Sequence, residues 1–118
     1  MASIATLSYI PRESLAALLK SPSPSVAIID VRDNDYIGGH IKGCRNVPVH
    51  THDHAMPELV RSLADKETVV FHCALSQQRG PKAALRYLRE RERLLGVGEE
   101  GKQKVLVLDG GFVKWQEL

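Results

Sequence analysis

The chain has 118 residues, 43% hydrophobic and 25% charged, which suits one globular domain with a real core spanning residues 1–118. Its net charge of +2, from 16 basic and 14 acidic residues, is too balanced to suggest nucleic-acid binding, and no apolar run reaches the length of a membrane span. The N-terminus Met1-Ala2-Ser3-Ile4 lacks the basic-then-apolar order of a secretory leader, and two cysteines, Cys44 and Cys73, make no disulfide framework, so a reducing compartment, cytosol or nucleus, is expected.

Pro11 to Lys20 reads as a helix with Leu15, Leu18 and Leu19 on one face. Ser21-Pro22-Ser23-Pro24-Ser25 is a turn-rich connector. Val26 to Val31 is a continuous apolar run, as expected of a buried parallel strand. Pro57 to Leu63 reads as a second helix, and Thr68 to His72 as the next strand. The longest helix runs from Pro81 to about Leu95, with Ala84, Leu85 and Leu88 as its buried face. Gly96 to Lys102 forms a Gly/Glu-rich loop, Lys104 to Leu108 another buried strand, and Gly110-Gly111 turns into a last short helix ending at Trp115. Strands alternating with helices predict an α/β fold, a central parallel sheet with helices on both faces. Sites in such sheets lie beyond the carboxyl ends of the strands.

Cys73 lies at such an end. The apolar run Val69-Val70-Phe71-His72 delivers it into Ala74-Leu75-Ser76-Gln77-Gln78, followed by Arg79-Gly80-Pro81 and the long helix. A free thiol titrates near ~8.5, and a helix N-terminus beside it favours the thiolate and binds oxyanions. Pro81 suits the first helical position, where its missing N–H is no loss. Arg79 adds a planar fork that can grip two oxygens of one anion. The N–H groups from Ala74 to Arg79 can curl round that anion as a nest. Ser76 can donate its hydroxyl to the thiolate or the leaving group, and Gly80 allows a backbone angle that other residues resist. The alternative is an inert buried thiol, which leaves Arg79 and Gly80-Pro81 unexplained.

Three segments carry a family resemblance. Ile29-Asp30-Val31-Arg32, continuing through Gly39-His40-Ile41 to Asn46-Val47-Pro48, resembles the rhodanese-domain signature. Gly110-Gly111-Phe112-Val113-Lys114-Trp115 resembles that domain's closing motif, and the cysteine loop lies between them. The resemblance covers nearly the whole chain and implies a single rhodanese-like domain. Sulfurtransferases of that family have a loop one residue shorter, sized for a sulfane sulfur. The His72-Cys73-x5-Arg79 form resembles the cell-division-cycle phosphatases and the small eukaryotic arsenate reductases. It implies a cysteine-dependent enzyme acting on a tetrahedral oxyanion: an arsenate reductase, a phosphatase, or both. Cys73 and Arg79 would be catalytic, and Ala74, Leu75, Ser76, Gln77, Gln78 and Gly80 would form the anion loop.

Departures shape the expectation. The cell-cycle phosphatases carry an acidic residue after the cysteine, where this chain has Ala74, and many have a protective cysteine where this chain has Val31. The resemblance therefore leans towards the small arsenate-reductase-like enzymes. It implies phosphate, arsenate or a phosphorylated substrate, no tightly bound cofactor, and glutathione with glutaredoxin as reductant if arsenate is reduced. Sulfur transfer from thiosulfate is the alternative, and a non-catalytic binding module is the third class. A monomer or weak dimer suits so small a domain.

The remaining candidates are weighed against plainer roles. Asp30 and Arg32 are expected to pair and fix the loop, with His72 in support, its side chain directed away from that of Cys73. Asp33 and Asp35 are turn residues or proton donors. Cys44 is a small core residue or an internal redox partner. His50-Thr51-His52-Asp53-His54 looks like a metal cluster but lacks partner ligands elsewhere, so it is read as a solvated loop, with no metal expected. Arg86, Arg89, Arg91 and Arg93 are read as the solvated face of the long helix, with docking of a protein substrate or glutathione as the other reading.

Overall fold

A computed structural model describes residues 7–20, 25–33, 39–41, 43–74, 76, 78–96 and 103–117. Five parallel strands lie in the order β1-β5-β4-β2-β3: β1 (Ser8–Ile10), β2 (Val26–Asp30), β3 (Arg45–Asn46), β4 (Thr68–His72) and β5 (Lys104–Leu108). Between them run α1 (Arg12–Leu19), a 3-10 turn (Val49–Thr51), α2 (His52–Ser62) and α3 (Arg79–Leu95), and α4 (Gly111–Trp115) closes the domain. Every residue of the central strand β4 is buried, which is why its sequence is apolar without alternation.

Helices cover both faces of the sheet. On one, α2 and α3 bring Met56, Leu59, Val60, Ala83, Ala84 and Tyr87 against Ile29, Val69, Phe71 and Val107. On the other, Leu15 of α1 and Phe112 and Trp115 of α4 pack against Ile28, Val70 and Leu108. Alternate residues of one strand thus serve opposite cores. Tyr87 anchors α3 to β4 through a tilted ring contact with Phe71 at 5.3 Å, and its hydroxyl donates to Gln103 at 2.7 Å.

Several boundaries differ from those the sequence suggests. Helix α2 begins at His52, five residues before Pro57, so the supposed solvated loop is a 3-10 turn followed by the first turn of a helix. Helix α3 begins at Arg79, so Pro81 is its third residue rather than its first. The first turn still has no intrahelical partner for its N–H groups, so the proline costs nothing there either. Leu18 is exposed, while Leu15 is buried and Leu19 half-buried. Arg91 is buried rather than solvated. The connector residues 21–24 and the loop residues 97–102 lie outside the described residues.

Candidate active site

Asp30 of β2, Asn46 of β3 and His72 of β4 share one register level at the carboxyl end of the sheet. Cys73 follows His72 immediately, at the end of the central strand, and belongs to the core on the α2/α3 face. Its sulfur accepts from Ser76 N–H at 3.2 Å and from Gly80 N–H at 3.4 Å. The second comes from the first turn of α3, where N–H groups and the positive end of the helix dipole are free for an anion. Such donors stabilise negative charge on sulfur. Cys73 itself is 3% exposed.

The loop closes tightly. Ser76 takes the left-handed conformation, at φ 56°, a strained choice for a residue with a side chain. That turn aims its N–H at the sulfur. Its hydroxyl is buried and, among the described residues, has no hydrogen-bond partner, so it does not donate to Cys73 in this state. Gly80 is helical rather than left-handed. Its role is close approach: a Cβ there would lie 3.3 Å from His72 Cα and 3.4 Å from Cys73 N and Ser76 Oγ. Gln78 precedes the helix as its N-cap residue, and Ala74 is half-buried. Leu75 and Gln77 lie outside the described residues.

The back of the loop is clamped by α4. Phe112 N–H donates to Cys73 O and Val113 N–H to Ala74 O, both at 2.9 Å. Those carbonyls turn to α4, while Ser76 N–H and Gly80 N–H turn to the sulfur. Gly111 makes the approach possible. Its φ is 61°, and a Cβ would stand 2.5 Å from the carbonyl oxygens of both Cys73 and Ala74. This is the physical content of the Gly110-Gly111 motif, and its placement against the cysteine loop was not foreseen from the sequence.

Beneath the loop, on the α1/α4 face, lies a buried charged brace. Arg32 Nε and Nη2 donate to the Asp30 carboxylate at 2.7 to 3.0 Å, and Arg32 Nη2 also donates to Gly39 O at 2.6 Å. The Arg32 guanidinium stacks over the Phe112 ring at 4.3 Å. Asn46 Nδ2 donates to Asp30 O and Arg32 O, which ties β3 to the same segment. His72 is fully buried, its Nδ1–H donating to Cys73 O at 3.3 Å and its Nε2 standing 3.8 Å from Asp30 Oδ2. Burial pushes its pKa down, against the pull of Asp30, so the ring is held neutral. His72, Asp30 and Arg32 thus sit together behind Cys73, joined to it through the bond from His72 to Cys73 O.

The other candidates are dispersed. Asp33 is half-exposed and pairs with His50 at 3.2 Å, while Asp35 lies outside the described residues. His52 is buried, donates from Nε2 to Val47 O at 2.9 Å, and is held neutral by burial; His54 is exposed. The three histidines therefore do not converge, and among the described residues no group of three His, Cys, Asp or Glu side chains is placed to hold a metal. Cys44 packs against the α1/α4 core, on the opposite face of the sheet from Cys73. It precedes β3, two strands from β4 and three register levels below Cys73, on the order of 10 Å along the strands and 10 Å across them. That exceeds the ~7 Å Cα separation a disulfide can bridge. Arg79 opens α3 half-buried and lines a cleft of about 330 Å³ between α2 and α3. Among the described residues, no helix is long and apolar enough to cross a membrane.

Residues 12–118 match the sequence family described as Rhodanese-like domain. Arsenate reductase 2.1 of Oryza sativa subsp. japonica is 40% identical over 115 residues, spanning 94% of this chain and 68% of that protein. The dual specificity phosphatase Cdc25 of Arabidopsis thaliana is 38% identical over 120 residues, spanning 98% of this chain and 77% of that one. Among solved structures, the As-Sb reductase from Leishmania major superposes with a TM-score of 0.84 at 33% identity, covering 95% of this chain and 78% of that one.

Proposed function

The chain belongs to the rhodanese-like domain family, and on that footing we propose that it is a cysteine-dependent enzyme for a tetrahedral oxyanion of phosphate size, an arsenate reductase, a phosphatase, or both. Cys73 is the nucleophile and Arg79 the oxyanion clamp. One observation carries the reading: Ser76 N–H and Gly80 N–H converge on Cys73 Sγ at the N-terminus of α3. The five-residue interval from Cys73 to Arg79 and the relatives named arsenate reductase and dual specificity phosphatase support it.

With a phosphoester, the Cys73 thiolate attacks phosphorus in line while Arg79 and the loop N–H groups hold the equatorial oxygens. The P–O bond breaks and a phosphocysteine forms. The leaving oxygen takes a proton from Asp33, Asp35 or the substrate itself. Water then attacks phosphorus, the P–S bond breaks, and phosphate leaves. With arsenate, the Cys73 sulfur displaces one protonated oxygen as water and gives a thioarsenate that is still As(V). A second thiol attacks Cys73 Sγ: an S–S bond forms, the S–As bond breaks, and its electron pair stays on arsenic, which departs as arsenite. Glutathione fits the part of that thiol, and a glutaredoxin that of resolving the mixed disulfide. A free catalytic thiol suits a reducing compartment, cytosol or nucleus, and the domain is proposed to act as a monomer or weak dimer.

The test is a three-way assay on one preparation: arsenate reduction with glutathione and glutaredoxin, phosphomonoester hydrolysis, and sulfur transfer from thiosulfate to cyanide. The reading expects the first or second to dominate and Cys73→Ser to abolish it. A dominant thiosulfate rate, or turnover that survives Cys73→Ser, overturns it.

A further inference from the structure

Arsenate chemistry at Cys73 needs a second thiol, and Cys44, on the far face of the sheet, is out of reach. The thiol must come from outside and be placed beside a residue that is 3% exposed. The structure holds a cleft next to the loop. It is lined by Val49 and His52 on one side and by Arg79, Lys82, Ala83 and Arg86 of α3 on the other. Arg79, Lys82 and Arg86 recur at helical spacing, so three cations form one stripe leading away from the anion loop. No acidic residue lines the cleft among the described residues. Beside the cleft, Asp53 of α2 pairs with Arg86 across the two helices, and Asp33 also lies near His52. Both members of that pair are exposed, so the pair is weak and exchangeable.

We propose that this cleft is the docking site of the second substrate, an anionic, peptide-sized thiol whose carboxylates meet Lys82 and Arg86 while its sulfur reaches Cys73. The volume of about 330 Å³ lies at the lower end of the range for small-molecule sites, which favours a low-molecular-weight thiol over a folded protein. A carboxylate entering the cleft takes Arg86 from Asp53, so Asp53 acts as a competitor for Arg86 in the empty cleft. The inference rests on the arsenate-reductase reading of Cys73, and the test below probes the cleft without arsenate turnover.

The test is thiol–disulfide exchange at Cys73, which needs no turnover. The Cys73 thiolate attacks one sulfur of a disulfide, the old S–S bond breaks, and a thiolate leaves. Mixed-disulfide formation at Cys73 is followed by mass spectrometry with glutathione disulfide, which is anionic, and with hydroxyethyl disulfide, which is neutral. Each rate is normalised to that of an uncharged reference thiol. The proposal expects a preference for glutathione disulfide of about tenfold, the low end of what a charged cleft gains for an opposite charge. Lys82→Ala with Arg86→Ala should abolish the preference and leave the neutral rate unchanged. Asp53→Ala should increase it. Lys104→Ala, which removes one charge at the other end of the sheet, should leave it intact. A preference that survives the double variant, or that Lys104→Ala lowers equally, overturns the proposal. So does an unchanged preference accompanied by a raised KM for an acidic phosphopeptide, which would assign the cleft to a polypeptide substrate. Failure of both disulfides to react at Cys73 would instead sink the nucleophile assignment.

Discussion

The two sides of the sheet's carboxyl end use charge in opposite ways. On the α2/α3 side, Cys73 is met by backbone N–H groups, and half-buried or exposed cations of α3 line an open cleft beside the loop. On the α1/α4 side, Asp30, Arg32 and His72 are almost fully buried and bonded to each other or to the chain. The first side can exchange its partners for an incoming anion. The second cannot, because a buried charge that loses its partner costs several kcal/mol. The cysteine loop is held from behind. Helix α4 fixes the carbonyls of Cys73 and Ala74, and the Asp30–Arg32 brace fixes α4 through Phe112.

Substitutions can break or sharpen this division. The largest effect is expected on the open side: Cys73→Ser abolishes turnover with the fold unchanged by circular dichroism. Arg79→Ala should lower kcat/KM by about 10² to 10³, the loss expected from removing one preorganised oxyanion donor, with little change in unfolding midpoint. On the braced side the readout reverses. Asp30→Asn leaves Arg32 buried without its counter-charge and should cost ~3–5 kcal/mol in guanidinium unfolding. If it cuts activity but not stability, the brace is chemical and the division fails. Gly111→Ala probes the joint between the sides. Its Cβ would collide with two backbone carbonyls, displacing the loop and lowering kcat/KM by about 10², with Cys73 still present and titratable by a thiol reagent.

The smallest effect is in pH dependence. Burial pushes His72 and His52 below the ordinary value of 6.5. Below 6.5 the unfolded chain binds protons that the folded chain refuses, so stability falls as pH falls and is fully present above 6.5. Guanidinium midpoints at about pH 7.5 and about pH 5.5 should differ in that direction, and His72→Asn should flatten the difference.

Much of this was legible in the sequence, for physical reasons. Strands β2, β4 and β5 are buried on both faces, and such strands write themselves as unbroken apolar runs. The edge strand β1 escaped because it has three residues and pairs only with β5. The start of α2 escaped because its first turn is His52-Asp53-His54, polar and without a capping side chain, while Pro57 looked like a first residue. The loop's place at the strand end before a long helix was readable from the run through Cys73, Arg79 and Pro81. Its mechanics were not. Gly80 serves close packing, the left-handed turn falls on Ser76, and Gly111 supplies the clearance for the clamp. Those roles depend on which backbones approach each other in space, and no local pattern records that.

Cys73 is proposed as a nucleophile inside a phosphate-sized oxyanion site closed by Arg79. The most direct measurement is the rate of Cys73 alkylation by iodoacetamide, a neutral reagent, at increasing phosphate or arsenate. Saturable protection of Cys73 by both anions, lost in Arg79→Ala, is the outcome expected of such a site. Alkylation of the unsubstituted protein at the same rate with and without the anions would contradict it.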